Sequence, residues 1–186
     1  MTDPTTLILL YFVIPVWFMA GLADYLCHRS SHIESTTGVK ESLIHALMFA
    51  EVGIPLLSGI YLEINSGIMI MMVVMFMIHE ATALWDVTYA VTARYVSPIE
   101  QAVHSFLEVI PLMALGFIIA LHWEQFLAIF GAGLETARFA VGWKHQSLPN
   151  FYVAAIMAAI LIFEFLPYAE ELLSCLEFRA KGSLGE

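Results

Sequence analysis

The chain has 186 residues, 60% of them hydrophobic and 13% charged, with a net charge of −10 and a mean hydropathy of +0.82. An ordinary soluble domain is less apolar and about twice as charged, so the composition indicates an integral membrane protein, and the negative balance argues against a nucleic-acid partner. The length suits about five spans in a single domain over residues 1–186, and the two cysteines, Cys27 and Cys175, lack the CxxC spacing of a thiolate metal site.

The predicted elements are all helical, giving an all-α membrane bundle. The first apolar run covers about Leu7 to Cys27 and contains Pro15 and Trp17. No basic region or small-residue cleavage site accompanies it, so it reads as a retained span rather than a signal peptide. It runs into Asp24-Tyr25-Leu26-Cys27-His28-Arg29-Ser30-Ser31-His32. The second run covers about Leu43 to Leu62, with Glu41 and His45 at its start and Glu51 and Pro55 inside. A turn at Glu63-Ile64-Asn65-Ser66-Gly67 follows. The third run covers about Ile68 to Ala90; it is methionine-rich at first, then carries His79, Glu80, Trp85, Asp86 and Tyr89. The methionines read as packing residues, and Trp85 and Tyr89 as interfacial anchors.

Pro98 opens the fourth run, about Ile99 to Leu121, which begins with Glu100, His104 and Glu108. Residues Phe126 to Trp143 are apolar but broken by three glycines, Glu135 and Arg138, which suggests an interfacial or re-entrant piece. The fifth span covers about Phe151 to Leu173 and includes Glu164 and Pro167; Glu170-Glu171 and a short tail with Arg179 and Lys181 complete the run. With five spans, Arg29, Lys40, Arg94, Arg179 and Lys181 fall on one side, and Arg138 and Lys144 on the other. That bias predicts an outside N-terminus and a cytoplasmic C-terminus.

This topology brings the polar residues to one depth. Spans one and three carry them near their cytoplasmic ends, spans two and four near their cytoplasmic starts. Residues four apart on a helix share a face, which aligns Asp24, His28 and His32; Glu41 and His45; and Glu100, His104 and Glu108. His79 and Asp86, seven apart, share another. Ionisable residues inside a membrane are costly and mark function by default. Ten side chains are therefore candidate metal ligands: Asp24, His28, His32, Glu41, His45, His79, Asp86, Glu100, His104 and Glu108. Histidine with carboxylate suits iron, manganese or zinc. The set exceeds one tetrahedral zinc and fits two divalent ions, as in ferritin-like bundles. Glu41 and Glu100 also suit helix N-termini. Glu51 and Glu164 read as hydrogen-bonded or relay groups, and His122 and His145 fall on the opposite side.

Asp24-Tyr25-x-x-His28-Arg29-x-x-His32 resembles the first histidine box of the fatty acid hydroxylase / sterol desaturase superfamily. The resemblance covers about ten residues and implies a membrane di-iron oxygenase, with His28 and His32 as ligands and Asp24 as a ligand or orienting partner. The two later His-x-x-His-His boxes of that family are absent; His45, His79-Glu80, and His104 with Glu108 stand in their place.

Three functions remain open at this stage. The first is a dinuclear oxidoreductase, iron first among metals, acting on a membrane lipid or other apolar substrate and drawing on an electron donor. The second is a zinc-type hydrolase with Glu80 as general base. The third is a metal-binding or metal-transport protein without catalysis.

Overall fold

The computed structural model describes residues 3–183. Five helices are long and apolar enough to cross a membrane: α1 Pro4–Ser30, α2 Val39–Tyr61, α3 Ser66–Ala93, α4 Pro98–Leu121 and α6 Asn150–Gly182. A short helix, α5 Trp123–Ile129, follows α4. The described residues form no strand, only an isolated bridge between Leu62 and Trp143.

The helix starts follow their capping chemistry. Asp3 accepts from the Thr5 N–H at 2.8 Å, and Asn65 from Ile68 at 3.1 Å. Ser97 and Glu100 form a reciprocal capping box under Pro98. Each satisfies a backbone donor that the first turn of its helix leaves without a partner.

The prolines leave a regular mark. A wide π-turn spans Leu9–Val13, just before Pro15. Another spans Ile160–Phe165, just before Pro167. A proline ring clashes with the carbonyl four residues back, here Tyr11 and Phe163, and the widened turn absorbs the clash. In α4, Pro111 disrupts the bonding of the Leu107 carbonyl in the same way.

The five long helices close into a ring in the order α1, α4, α3, α2, α6 and back to α1. Large apolar side chains such as Met19, Met77, Leu84 and Phe106 point outward, while the acids Asp24, Glu41, Glu51, Asp86, Glu100 and Glu171 turn inward. A membrane protein has this inside-out distribution because lipid tails are as apolar as leucine. At one end lie the 31–38 and 94–97 connectors. At the other, residues 130–149 form no long helix and fold back over the α2–α3 turn. There Glu63 N–H donates to Gly142, Lys144 N–H to Tyr61 and Gly67 N–H to Arg138, at 2.9–3.0 Å. Gly67 permits that approach, since a Cβ there would sit 3.1 Å from the Phe139 backbone. The expected interfacial or re-entrant segment is thus a cap on one end of the bundle.

Ser35 and Ser147 are exposed at opposite ends. In a background lacking Cys27 and Cys175, Ser35→Cys and Ser147→Cys should react with a membrane-impermeant thiol reagent from opposite faces of sealed vesicles. Labelling of both from one face would overturn the five-span arrangement.

Candidate metal centre

Eight side chains from all five long helices meet near the end that carries the 31–38 and 94–97 connectors. Asp24 and His28 come from the last turns of α1, Glu41 and His45 from the first turns of α2, Asp86 from α3, Glu100 and His104 from the first turns of α4, and Glu171 from α6. Each is at most 4% exposed except His104, whose side chain is 13% exposed.

Glu171 is the pivot. One of its oxygens lies 3.1 Å from His28 Nδ1 and the other 2.9 Å from His45 Nδ1. The two imidazoles stack face to face, 4.3 Å apart and 3° from parallel. A carboxylate accepts, so both rings present N–H at Nδ1. Their Nε2 atoms then point the other way. His28 Nε2 faces Asp24 Oδ1 at 3.5 Å and Glu100 Oε1 at 3.6 Å. His45 Nε2 faces Asp86 Oδ1 at 3.4 Å and Glu41 Oε1 at 4.0 Å. His104 Nε2 lies 2.9 Å from Asp24 Oδ1.

His28 Nε2, His45 Nε2 and Asp86 Oδ1 are buried without a hydrogen-bond partner. Leaving such groups unpaired is expensive. In the neutral tautomer each Nε2 offers a lone pair toward an acceptor oxygen, an arrangement that repels unless a cation sits between. Protonating both stacked rings would set two like charges face to face, worth about 4 kcal/mol of repulsion at an effective dielectric of about 20. A metal ion between each Nε2 and the carboxylate oxygen it faces would also meet the requirement. Two sets of donors lie within 4.8 Å of one another: Asp24, His28 and His104, and His28, Glu41 and His45. The donor types fit a divalent ion of the iron, manganese or zinc kind.

Charge leads to the same place. Asp24, Glu41, Asp86, Glu100 and Glu171 bring five negative charges. Arg94 brings one positive charge, its guanidinium bonding to Glu41 at 2.6 Å and to Glu100 at 2.5 Å with the side chain 2% exposed. Burial alone would lower the Arg94 pKa, but its hydrogen bonds to Glu100 and Glu41 raise it above the usual value. Four negative charges remain in a low-dielectric layer, which two divalent ions would neutralise.

Seven of the ten residues singled out by spacing belong to this cluster: Asp24, His28, Glu41, His45, Asp86, Glu100 and His104. Three stand apart. His32 lies beyond the end of α1, in the left-handed conformation with φ 52°. Its side chain is 75% exposed and pairs with Glu34. His79 lies nearer the middle of the bundle, 3.7 Å from Glu51 Oε2, while Glu51 accepts from Thr82 at 2.9 Å. The His79 ring also engages the Leu107 backbone, whose carbonyl Pro111 displaces from its usual partner. Glu108 lines the small cavity beside the cluster, and Glu80 faces Glu108. Spacing alone missed Arg94, Glu171 and Tyr168, whose hydroxyl donates to Asp24 Oδ2 at 3.3 Å. A signal for two of them was present: Glu164, Tyr168 and Glu171 fall at i, i+4 and i+7 on one face of the last span.

No family model, curated protein or solved structure matches the chain.

Two outcomes follow from the geometry. Removing Arg94 leaves Glu41 and Glu100 buried without their shared counter-charge, so Arg94→Gln should cost about 3–5 kcal/mol in unfolding measured in detergent; an unchanged unfolding midpoint would reject this role. Glu171→Ala should weaken metal affinity by roughly 10–100-fold through loss of ring orientation. Equilibrium titration with Fe(II) or Zn(II) measures it, and an unaltered affinity would show that Glu171 does not set the imidazoles.

Proposed function

We propose that the protein is a membrane-embedded oxidoreductase with two divalent metal ions, iron first, acting on a lipid or other apolar substrate. The observation that carries this reading is the pair of stacked imidazoles, anchored on Glu171 through Nδ1 and facing carboxylates through orphaned Nε2 atoms. One ion would be held by Asp24, His28 and His104, the other by Glu41, His45 and Asp86, with Glu100 between them. The ions would supply oxygen activation and electron transfer, and an external electron donor would be required.

The chain's own residues have separate tasks. Glu171 fixes two ring tautomers. Arg94 holds Glu41 and Glu100 in place, and Tyr168 does the same for Asp24. The resemblance of Asp24 through His28 to the first box of the di-iron hydroxylases agrees with this assignment at those two positions. The positive-charge bias favours a cluster near the cytoplasmic face, where a soluble electron donor would reach it.

The substrate class is supported by the cavities. A cavity of about 370 Å³ occupies the half of the bundle beyond the cluster. A smaller one of about 70 Å³ touches Asp24, His45, Asp86 and His104. Trp17, Val52 and His79 wall both, and the larger is mostly apolar. Glu51 and His79 line one end of the larger cavity and His122 and Lys144 the other, and between them the wall is apolar, where a transport pathway would need polar groups. The hydrolase reading needs a free carboxylate at the metals, whereas Glu80 lines neither cavity and faces Glu108.

Elemental analysis of the detergent-purified protein tests the proposal. Two irons per chain are expected, falling to one or none in His45→Ala and staying at two in His32→Ala and His145→Ala. Two zincs would shift the assignment to hydrolysis, and no bound metal after loading would remove it.

A further inference from the structure

The far end of the larger cavity has a chemistry that the metal cluster does not use. Lys144 and His122 both line it, Glu51 and His79 line its other end, and the wall between is built from side chains such as Leu56, Ile60, Met72, Phe76 and Leu115. Lys144 Nζ donates to the Gly59 carbonyl at 2.5 Å, one of the carbonyls that the end of α2 leaves open. An ammonium has three donors, and no carboxylate lies within ion-pair distance of this one among the described residues. The nearby acid, Glu63, is engaged with the His145 N–H at 2.6 Å.

Burial pushes the Lys144 ammonium below its ordinary pKa, against a weaker pull from Glu63. Burial and then Lys144 itself push His122 down. Lys144 is thus a cation short of an anion, and the His122 imidazole beside it is held toward its neutral form. A partly buried lysine at the head of an apolar cavity has the charge complementary to an amphiphile's head group. The ends of the cavity differ: basic groups at one, and at the other the walls shared with the cavity of the metal cluster.

We propose that this cavity binds a single medium-chain carboxylate, its head on Lys144 and His122 and its chain running toward the metal cluster. Gly59, which holds Lys144, and Val52 are seven residues apart on α2, a rise of about 10 Å. A saturated chain advancing about 1.3 Å per carbon–carbon bond covers that with roughly eight carbons. The chain end then arrives between Trp17, Val52 and His79. That the bound chain is also the substrate rests on the metal-centre reading above; its binding and orientation do not.

The experiment uses the full chain in a nonionic detergent, with Trp85, Trp123 and Trp143 replaced by phenylalanine so that Trp17 alone fluoresces. Bromine quenches indole on contact. An eight-carbon acid brominated at its last carbon should quench Trp17 saturably, and the same acid brominated at carbon 2 should not. Lys144→Gln keeps a donor for the Gly59 carbonyl but loses the charge; it should weaken the terminal-bromo acid by roughly 10-fold or more, and Lys144→Arg should restore it. The matching bromo-alcohol, a four-carbon bromo-acid and a brominated phosphatidylcholine should each bind at least about 10-fold more weakly. Quenching by the carbon-2 bromide instead of the terminal one would reverse the orientation and overturn the proposal. So would equal binding of the alcohol, or of the Lys144→Gln variant. Metal loading of the unsubstituted protein separates the two readings: a protein that holds no metal after loading yet binds the acid saturably defeats the metal assignment and leaves this site standing, whereas bound metal without saturable quenching defeats this site alone.

Discussion

A buried negative charge must be answered where it lies. The layer that contains Asp24, Glu41, Asp86, Glu100 and Glu171 concentrates five carboxylates inside a bundle whose outer surface is apolar. Arg94 answers one of them. The other charges set the demands on the rest of the fold: inward-facing polar stripes on every long helix, connectors short enough to keep the stripes level, and histidines whose ring nitrogens are aimed rather than merely present. Kept apart, these acids would each carry a desolvation cost with no return. Gathered at one level, one from each long helix, they form a site that a multivalent cation would stabilise.

The arrangement divides labour between atoms of the same residue. His28 and His45 use Nδ1 to hold their position and leave Nε2 free for chemistry. Glu100 closes a capping box at the start of α4 and also grips Arg94. Local structure and the site are therefore not separable here: the residue that starts a helix also sets the counter-charge.

Much of this was legible in the sequence. Asp24 with His28, Glu41 with His45, and Glu100 with His104 sit at i, i+4 near helix ends that the topology brings to one depth, and all six belong to the cluster. His32 extended the same pattern on paper, but the helix stops at Ser30 and the chain turns left-handed at His32, so periodicity ran past its physical limit. His79 shares a face with Asp86 yet lies about two turns away along α3, where Glu51 and the Leu107 backbone engage it. Arg94 was read only as a topological charge, because a cation in a connector is ordinarily solvated; its burial depends on two acids from other helices. Glu171 was masked by its exposed neighbour Glu170, which with Arg29 and Tyr25 forms a surface network.

The pivot's place in the chain has a consequence for how the protein is made. Glu171 belongs to α6, the last long helix to leave the ribosome, while the two imidazoles it aligns stand on α1 and α2. Chains emerge N-terminus first, so the first four spans can enter the bilayer with His28 and His45 still free to rotate. The site is completed only when the final helix docks between α2 and α1. Synthesis order thereby separates membrane insertion from completion of the cluster, and a truncated chain lacking α6 would be inserted but left without its anchoring carboxylate.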